Sequence, residues 1–224
     1  MRWPDCKATL TGKARWTIAI LAVVAALAAA LVAQLRDDSG TTATTQRTPG
    51  REHRDADTPA ALAGPRERAN LPSCPAASGG LAGPGPAALR GVTVECAADG
   101  SAIDVARALA GRKVILNLWA YWCAPCTAEL TAMAEYQRRV GSSVLVVTVH
   151  QDENETAALL RLAELGVRLP TLQDGRRLIP AALRVANVVP ATVVLRPDGS
   201  VAQTLLRDFA SADEIAAAVG NDAG

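Results

Sequence analysis

The sequence predicts an α/β domain with a central mixed sheet over residues 92–224, and three observations carry that prediction. Two short, mostly apolar runs, VILNLWA at 114–120 and SVLVVTV at 143–149, have the length and composition of buried strands. The stretches that follow them repeat apolar residues at helical spacing. Near the end, ATVVLR (191–196), the turn PDGS and VAQTLL (201–206) form a hairpin pattern. Strands separated by helices pair in parallel, and the hairpin adds an antiparallel pair.

In chain order, GVTVEC and SAIDV offer a first hairpin before the 114–120 strand. The helix after Cys123 places Leu130, Met133 and Ala134 on one face. Asp152 and Asn154 are the expected caps of the next helix, whose apolar positions include Leu159, Leu162 and Ala163. Beyond Pro170 come a short run and a second helical piece around 178–186. Ser211 and Glu214 make a capping box for the last helix, 212–219.

Three segments precede this domain. Residues 1–15 carry Arg2, Lys7, Lys13 and Arg15 against Asp5 alone, and residues 16–35 contain no charge. Twenty uncharged, mostly apolar residues at helical rise match the roughly 30 Å of bilayer hydrocarbon. The basic flank places residues 1–15 in the cytoplasm and everything after 36 outside, giving a single-pass anchor in the cell membrane. A cleaved signal peptide is the rival reading, though the run exceeds the usual h-region length. Residues 36–91 hold seven of the chain's 13 prolines and eight of its 17 glycines, a composition expected of a disordered, flexible linker.

The formal net charge of +1 supplies no basic field for nucleic acid. Half of the 224 residues are hydrophobic, which excludes a collagen-like or wholly disordered chain. Five cysteines are too few for a disulfide-dense mini-scaffold.

The positions of those cysteines point to redox chemistry. In Trp119-Ala120-Tyr121-Trp122-Cys123-Ala124-Pro125-Cys126 a strand gives way to a helix. Two cysteines three apart on a first helical turn face the same side and can bond to each other. The free N–H groups and macrodipole of a helix N-terminus favour the thiolate of the first, which is the attacking species in disulfide exchange. Cys123 is therefore the expected nucleophile and Cys126 the resolving thiol. Pro125 suits an early helical position that needs no N–H, and Trp122 shields one side of the pair. A zinc site completed by Cys74 and Cys96 is the competing use of a CxxC pair, but zinc knuckles sit in tight turns rather than after a buried strand. No metal and no cofactor is expected. Cys74 and Cys96 flank 21 residues in an oxidising compartment, and a structural disulfide between them is expected.

WCAPC after a VILNLWA strand resembles the thioredoxin-like fold. With the anchor, the tether and the helix inserted before Pro190, the chain resembles membrane-anchored thiol–disulfide oxidoreductases of the TlpA/ResA-like family. The resemblance covers about 92–219 and is specific at WCAPC and at Val189-Pro190-Ala191-Thr192. It implies that the Val189–Pro190 bond is cis and faces the cysteine pair, with Val189 and Pro190 presenting backbone to an extended substrate. On the residues alone, Pro190 reads more readily as an ordinary strand-leading proline, and it is WCAPC that favours the cis reading. Asn117 stands where thioredoxin carries a buried, proton-relaying Asp, so that route is absent here. Thr131 stands where thioredoxin has a helix-kinking proline. Glu129 matches the acid of the family's WCxPCxxE pattern and would tune the second thiol; otherwise it is a surface Glu near a helix start. His150 has no partner arrangement for Cys–His catalysis and reads as structural.

The expected function is extracytoplasmic thiol–disulfide exchange through Cys123 and Cys126, reducing disulfides in envelope proteins, with apocytochrome c among the implied substrates. The implied partners are a cysteine-containing extracytoplasmic protein and a membrane thiol carrier as electron donor. Ala-Pro between the cysteines is closer to the Gly-Pro of reducing thioredoxins than to the Pro-His of strong oxidases. Two rival readings stay open: a disulfide-forming oxidase or isomerase of secreted proteins, and a non-catalytic thioredoxin-fold binding module.

Overall fold

The structure, a computed structural model, describes residues 57–76 and 85–220, together with Ala26 alone. The anchor expected at 16–35 and the segment 1–15 lie, Ala26 apart, outside the described residues. Among the described residues no helix is long and apolar enough to cross a membrane.

The first described helix, α1 (Pro59–Ala69), falls inside the stretch expected to be a flexible linker. That expectation is corrected for residues 57–76, and the folded region begins by Asp57 rather than at 92. Thr58 caps α1 by accepting from the Ala61 N–H, Pro59 occupies its first turn, and Asn70 closes it in the left-handed conformation. Leu62 and Ala69 are buried against Leu159. An eleven-residue helix containing Gly64 and Pro65 would not persist alone. Docking stabilises it, and composition does not reveal docking.

The remaining strands and helices are β1 (Thr93–Cys96), β2 (Ala102–Asp104), α2 (Val105–Ala108), β3 (Val114–Trp119), α3 (Ala124–Val140), β4 (Leu145–His150), α4 (Glu155–Leu165), β5 (Thr171–Gln173), α5 (Leu178–Leu183), β6 (Ala191–Leu195), β7 (Val201–Leu205) and α6 (Ala212–Gly220). The seven strands form one sheet in the order β2-β1-β5-β4-β3-β6-β7. β3, β4 and β5 run parallel, while β6 and β7 at one edge and β1 and β2 at the other pair antiparallel.

β3 lies near the centre, and all six of its residues are buried. Its alternating side chains feed two cores. Ile115 and Trp119 join Leu130, Met133, Leu162 and Ile215 on the side carrying α3, α4 and α6. Val114, Leu116 and Leu118 join Val105, Leu109 and Ile179 on the side carrying α2 and α5. The capping residues act much as their types suggest. Asn154 accepts from the Ala157 N–H at 3.0 Å, and Ser211 accepts from Glu214 N–H at 3.2 Å. Glu214 reaches back to the Ala210 N–H rather than to that of Ser211.

Two features tie the α1 segment to the sheet. Arg66 pairs with Glu155 at 2.9 Å, both largely shielded from water. Cys74 and Cys96 are disulfide-bonded with Cα atoms 5.8 Å apart. The bond closes a loop across a sequence separation of 22, for which chain entropy gives about 3 kcal/mol. A Cys74→Ser/Cys96→Ser variant is therefore expected to lose about 3 kcal/mol in urea unfolding. An unfolding midpoint equal to wild type would show that the staple contributes nothing.

Candidate active site

The site is built at the carboxyl end of β3. The strand ends at Trp119, the Cys123 N–H donates to the Ala120 carbonyl at 3.0 Å, and α3 starts one residue later. Cys123 is the N-cap: its Sγ accepts from the Cys126 N–H at 3.3 Å. The cysteines are joined as a disulfide, with Cα atoms 5.3 Å apart. Once the bond is reduced, the same N–H and helix terminus stabilise negative charge on the Cys123 sulfur. Cys123 is 5% exposed and Cys126 1%, so an incoming sulfur meets Cys123 first. Pro125 sits in the first turn, where its missing N–H costs no helical bond.

Trp122 is 55% exposed beside the disulfide, and its indole N–H donates to Asp152 Oδ2 at 3.1 Å. Asp152 Oδ1 in turn accepts from the Asn154 N–H at 2.9 Å. The loop after β4 thus holds the indole as well as capping α4. Sequence reasoning assigned Asp152 only to the cap. The two loops meet because β3 and β4 pair in parallel with Trp119 opposite His150, a register the sequence does not show.

The Val189–Pro190 peptide is cis. Register places it beside the cysteines: Ala191 pairs with Leu118 in antiparallel β6–β3, so Pro190 and Val189 continue alongside Trp119 and Ala120. Val189 packs against the core that contains Cys123 and Cys126.

Glu129 is fully buried one helical turn beyond Cys126, not a surface residue near a helix start. The Thr192 hydroxyl donates to its Oε1 at 3.2 Å. Burial pushes the carboxyl up to about 7, against the opposing pull of the Asn117 amide and the Thr192 hydroxyl. Asn117 and Thr192 are cross-strand partners, so β3 and β6 deliver both polar groups to the acid. Glu129 Oε2 and both amide atoms of Asn117 are buried without a directed hydrogen bond among the described residues. A buried acid that titrates near neutrality can take or give a proton there. The role of Thr192 was not visible in the sequence, because it depends on the strand register.

His150 is buried against Trp119, with ring centroids 4.9 Å apart, and its Nδ1 bonds Gln173 Oε1 at 2.8 Å. Burial lowers it to about 4, so it is a neutral packing residue at physiological pH.

Comparison with known proteins agrees with this geometry. The pattern of the Redoxin family matches residues 75–219. The thiol-disulfide oxidoreductase ResA of Bacillus subtilis is 32% identical over 98 residues, which are 43% of this chain and 54% of that protein. The chain therefore spans about half the length of the ResA proteins it matches. A thioredoxin of Pyropia yezoensis is 34% identical over 93 residues, 41% of this chain and 76% of that one. Among solved structures, a secreted Mycobacterium tuberculosis disulfide oxidoreductase homologous to E. coli DsbE shares the fold. Its TM-score is 0.52 at 23% identity, covering 60% of this chain and 97% of that one. With a cysteine pair at the start of the helix that follows β3 and a cis proline just before β6, the chain belongs to the Redoxin family and has a thioredoxin-like fold.

Proposed function

We propose that this protein is an extracytoplasmic, membrane-tethered thiol–disulfide oxidoreductase that reduces disulfides in envelope proteins. The observation that carries the reading is Cys123 Sγ at the N-cap of α3, accepting from the Cys126 N–H at 3.3 Å. The membrane tether rests on the uncharged run 16–35 and its basic flank.

In the reductive direction the dithiol form acts. The Cys123 thiolate attacks one sulfur of a substrate disulfide, forming a mixed disulfide and releasing the first substrate thiolate. Cys126 then loses its proton and attacks Cys123 Sγ, expelling the second substrate thiolate. The substrate gains two electrons and two protons, and the protein becomes the Cys123–Cys126 disulfide. Glu129 lies one helical turn from Cys126 and is a buried acid suited to accept its proton. A membrane thiol carrier returns two electrons to the pair. Apocytochrome c belongs to the substrate class this chemistry serves, alongside other envelope proteins with paired cysteines.

Cys126→Ser stalls the second step. In cells carrying this variant, non-reducing gels are expected to show mixed disulfides on Cys123 with cysteine-bearing envelope proteins. Recovery of the variant with no disulfide-linked partner, when wild type is fully reduced in the same cells, would overturn the reading.

A further inference from the structure

Val189 separates the cysteine pair from a cavity of about 230 Å³ on the opposite side of the sheet's carboxyl end. Leu118, Pro180, Val185 and Val189 give it apolar walls, and Gln151, Arg177 and Asn187 line it as polar groups, Arg177 alone carrying charge. Arg177 is half-buried, and its Nε donates to the Gln151 carbonyl at 3.2 Å, which fixes its guanidinium at the cavity. It belongs to none of the ion pairs found among the described residues. A half-buried guanidinium that is not itself ion-paired favours a ligand that brings an anion, and the nearby Asp174 carboxyl is turned to the Gln151 amide and the Leu178 and Ile179 N–H groups instead. Val189 itself makes no backbone hydrogen bond among the described residues, so an extended chain can pair with it.

We propose that this cavity is a specificity subsite for the residue next to the substrate cysteine, and that it selects an acidic side chain, glutamate foremost. The inference rests on the thiol–disulfide exchange reading above. In an extended chain laid along Val189, successive side chains point to opposite sides. When the cysteine faces Cys123, its sequence neighbour faces the cavity. The methylenes of glutamate lie against Leu118, Pro180 and Val185, while its carboxylate meets the Arg177 guanidinium. A lysine in the same place brings like charge to Arg177 and is disfavoured.

The test uses short peptides whose single cysteine is held as a mixed disulfide with 2-thiopyridone. Attack by reduced Cys123 on the peptide sulfur releases thiopyridone, which is read by absorbance. Two series vary the residue before or after the cysteine through Glu, Gln, Ala, Leu and Lys. The expected result, in one of the two series, is a second-order rate constant about tenfold higher for Glu than for Lys, with Glu also ahead of Gln and Leu. That ratio should narrow as salt is raised and invert in Arg177→Glu. Equal rates across both series, or Leu ahead of Glu, would overturn the subsite while leaving the exchange reading intact. Failure of the Ala peptides to react at all would instead overturn the exchange reading. The wild-type series and its salt dependence decide the matter even if Arg177→Glu does not fold.

Discussion

Cys123→Ser is expected to lose disulfide exchange by about a thousandfold or more, measured as reduction of insulin disulfides with dithiothreitol as donor. The expectation follows from the site's asymmetry. Cys123 is the more exposed of the two cysteines, and its sulfur is the one that caps α3. A serine hydroxyl at the same N-cap still accepts from the backbone, so the helix start survives and the variant should fold. What disappears is the nucleophile, because a hydroxyl at neutral pH is neither ionised nor able to form a disulfide. Cys126→Ser should behave differently. Reduced beforehand and freed of dithiothreitol, it keeps the first attack and lacks the resolving thiol, so it gives one equivalent of mixed disulfide and then stops. The pair of variants also separates catalysis from simple binding. If Cys123→Ser reduced insulin at the wild-type rate, the scaffold would be acting as a binding module and the cysteines would be incidental.

The sequence showed the centre of the molecule more clearly than its periphery, and the reason is physical. β3 and β4 are buried on both faces and so are written as predominantly apolar runs of strand length. The cysteine pair was equally legible, because strand, CxxC and helix are contiguous in the chain. Glu129 could be placed on α3 from its spacing, but not its burial: whether a helical Glu meets water or Thr192 depends on where β6 pairs with β3. Helix α1 was hidden for a similar reason. Its stability comes from Leu62 and Ala69 against Leu159, and from Arg66 against Glu155, partners 89 residues away in sequence for the ion pair. The Arg177 cavity was invisible too, since it is assembled from α5, the ends of β3 and β4, and the loop before β6.

Glu129→Gln is expected to remove a large pH dependence of stability. The Glu129 carboxyl stands near 4.5 in the unfolded chain and is raised to about 7 in the folded one, chiefly by burial. A group raised on folding contributes stability that is fully present below its unfolded value and is lost as pH climbs through its folded value. Between pH 4 and pH 8 the wild-type disulfide form should therefore lose about 3 kcal/mol that the Gln variant does not lose. The comparison isolates Glu129, because Glu155 and Asp174, also raised by burial, titrate alike in both proteins. Gln is the appropriate replacement, since its carbonyl can still accept from Thr192 and it mimics the neutral acid. Urea unfolding at the two pH values reads the difference directly; identical pH slopes for the two proteins would show that Glu129 ionises as an ordinary surface carboxylate. The same titration bears on turnover. Above about pH 7 the carboxylate is charged, one turn from Cys126, and like charge disfavours a second anion there. In the Gln variant Cys126 should ionise at a lower pH, and the inflection near neutrality in the rate of mixed-disulfide resolution should vanish. An inflection that persists near 7 in Glu129→Gln would assign the proton to another group.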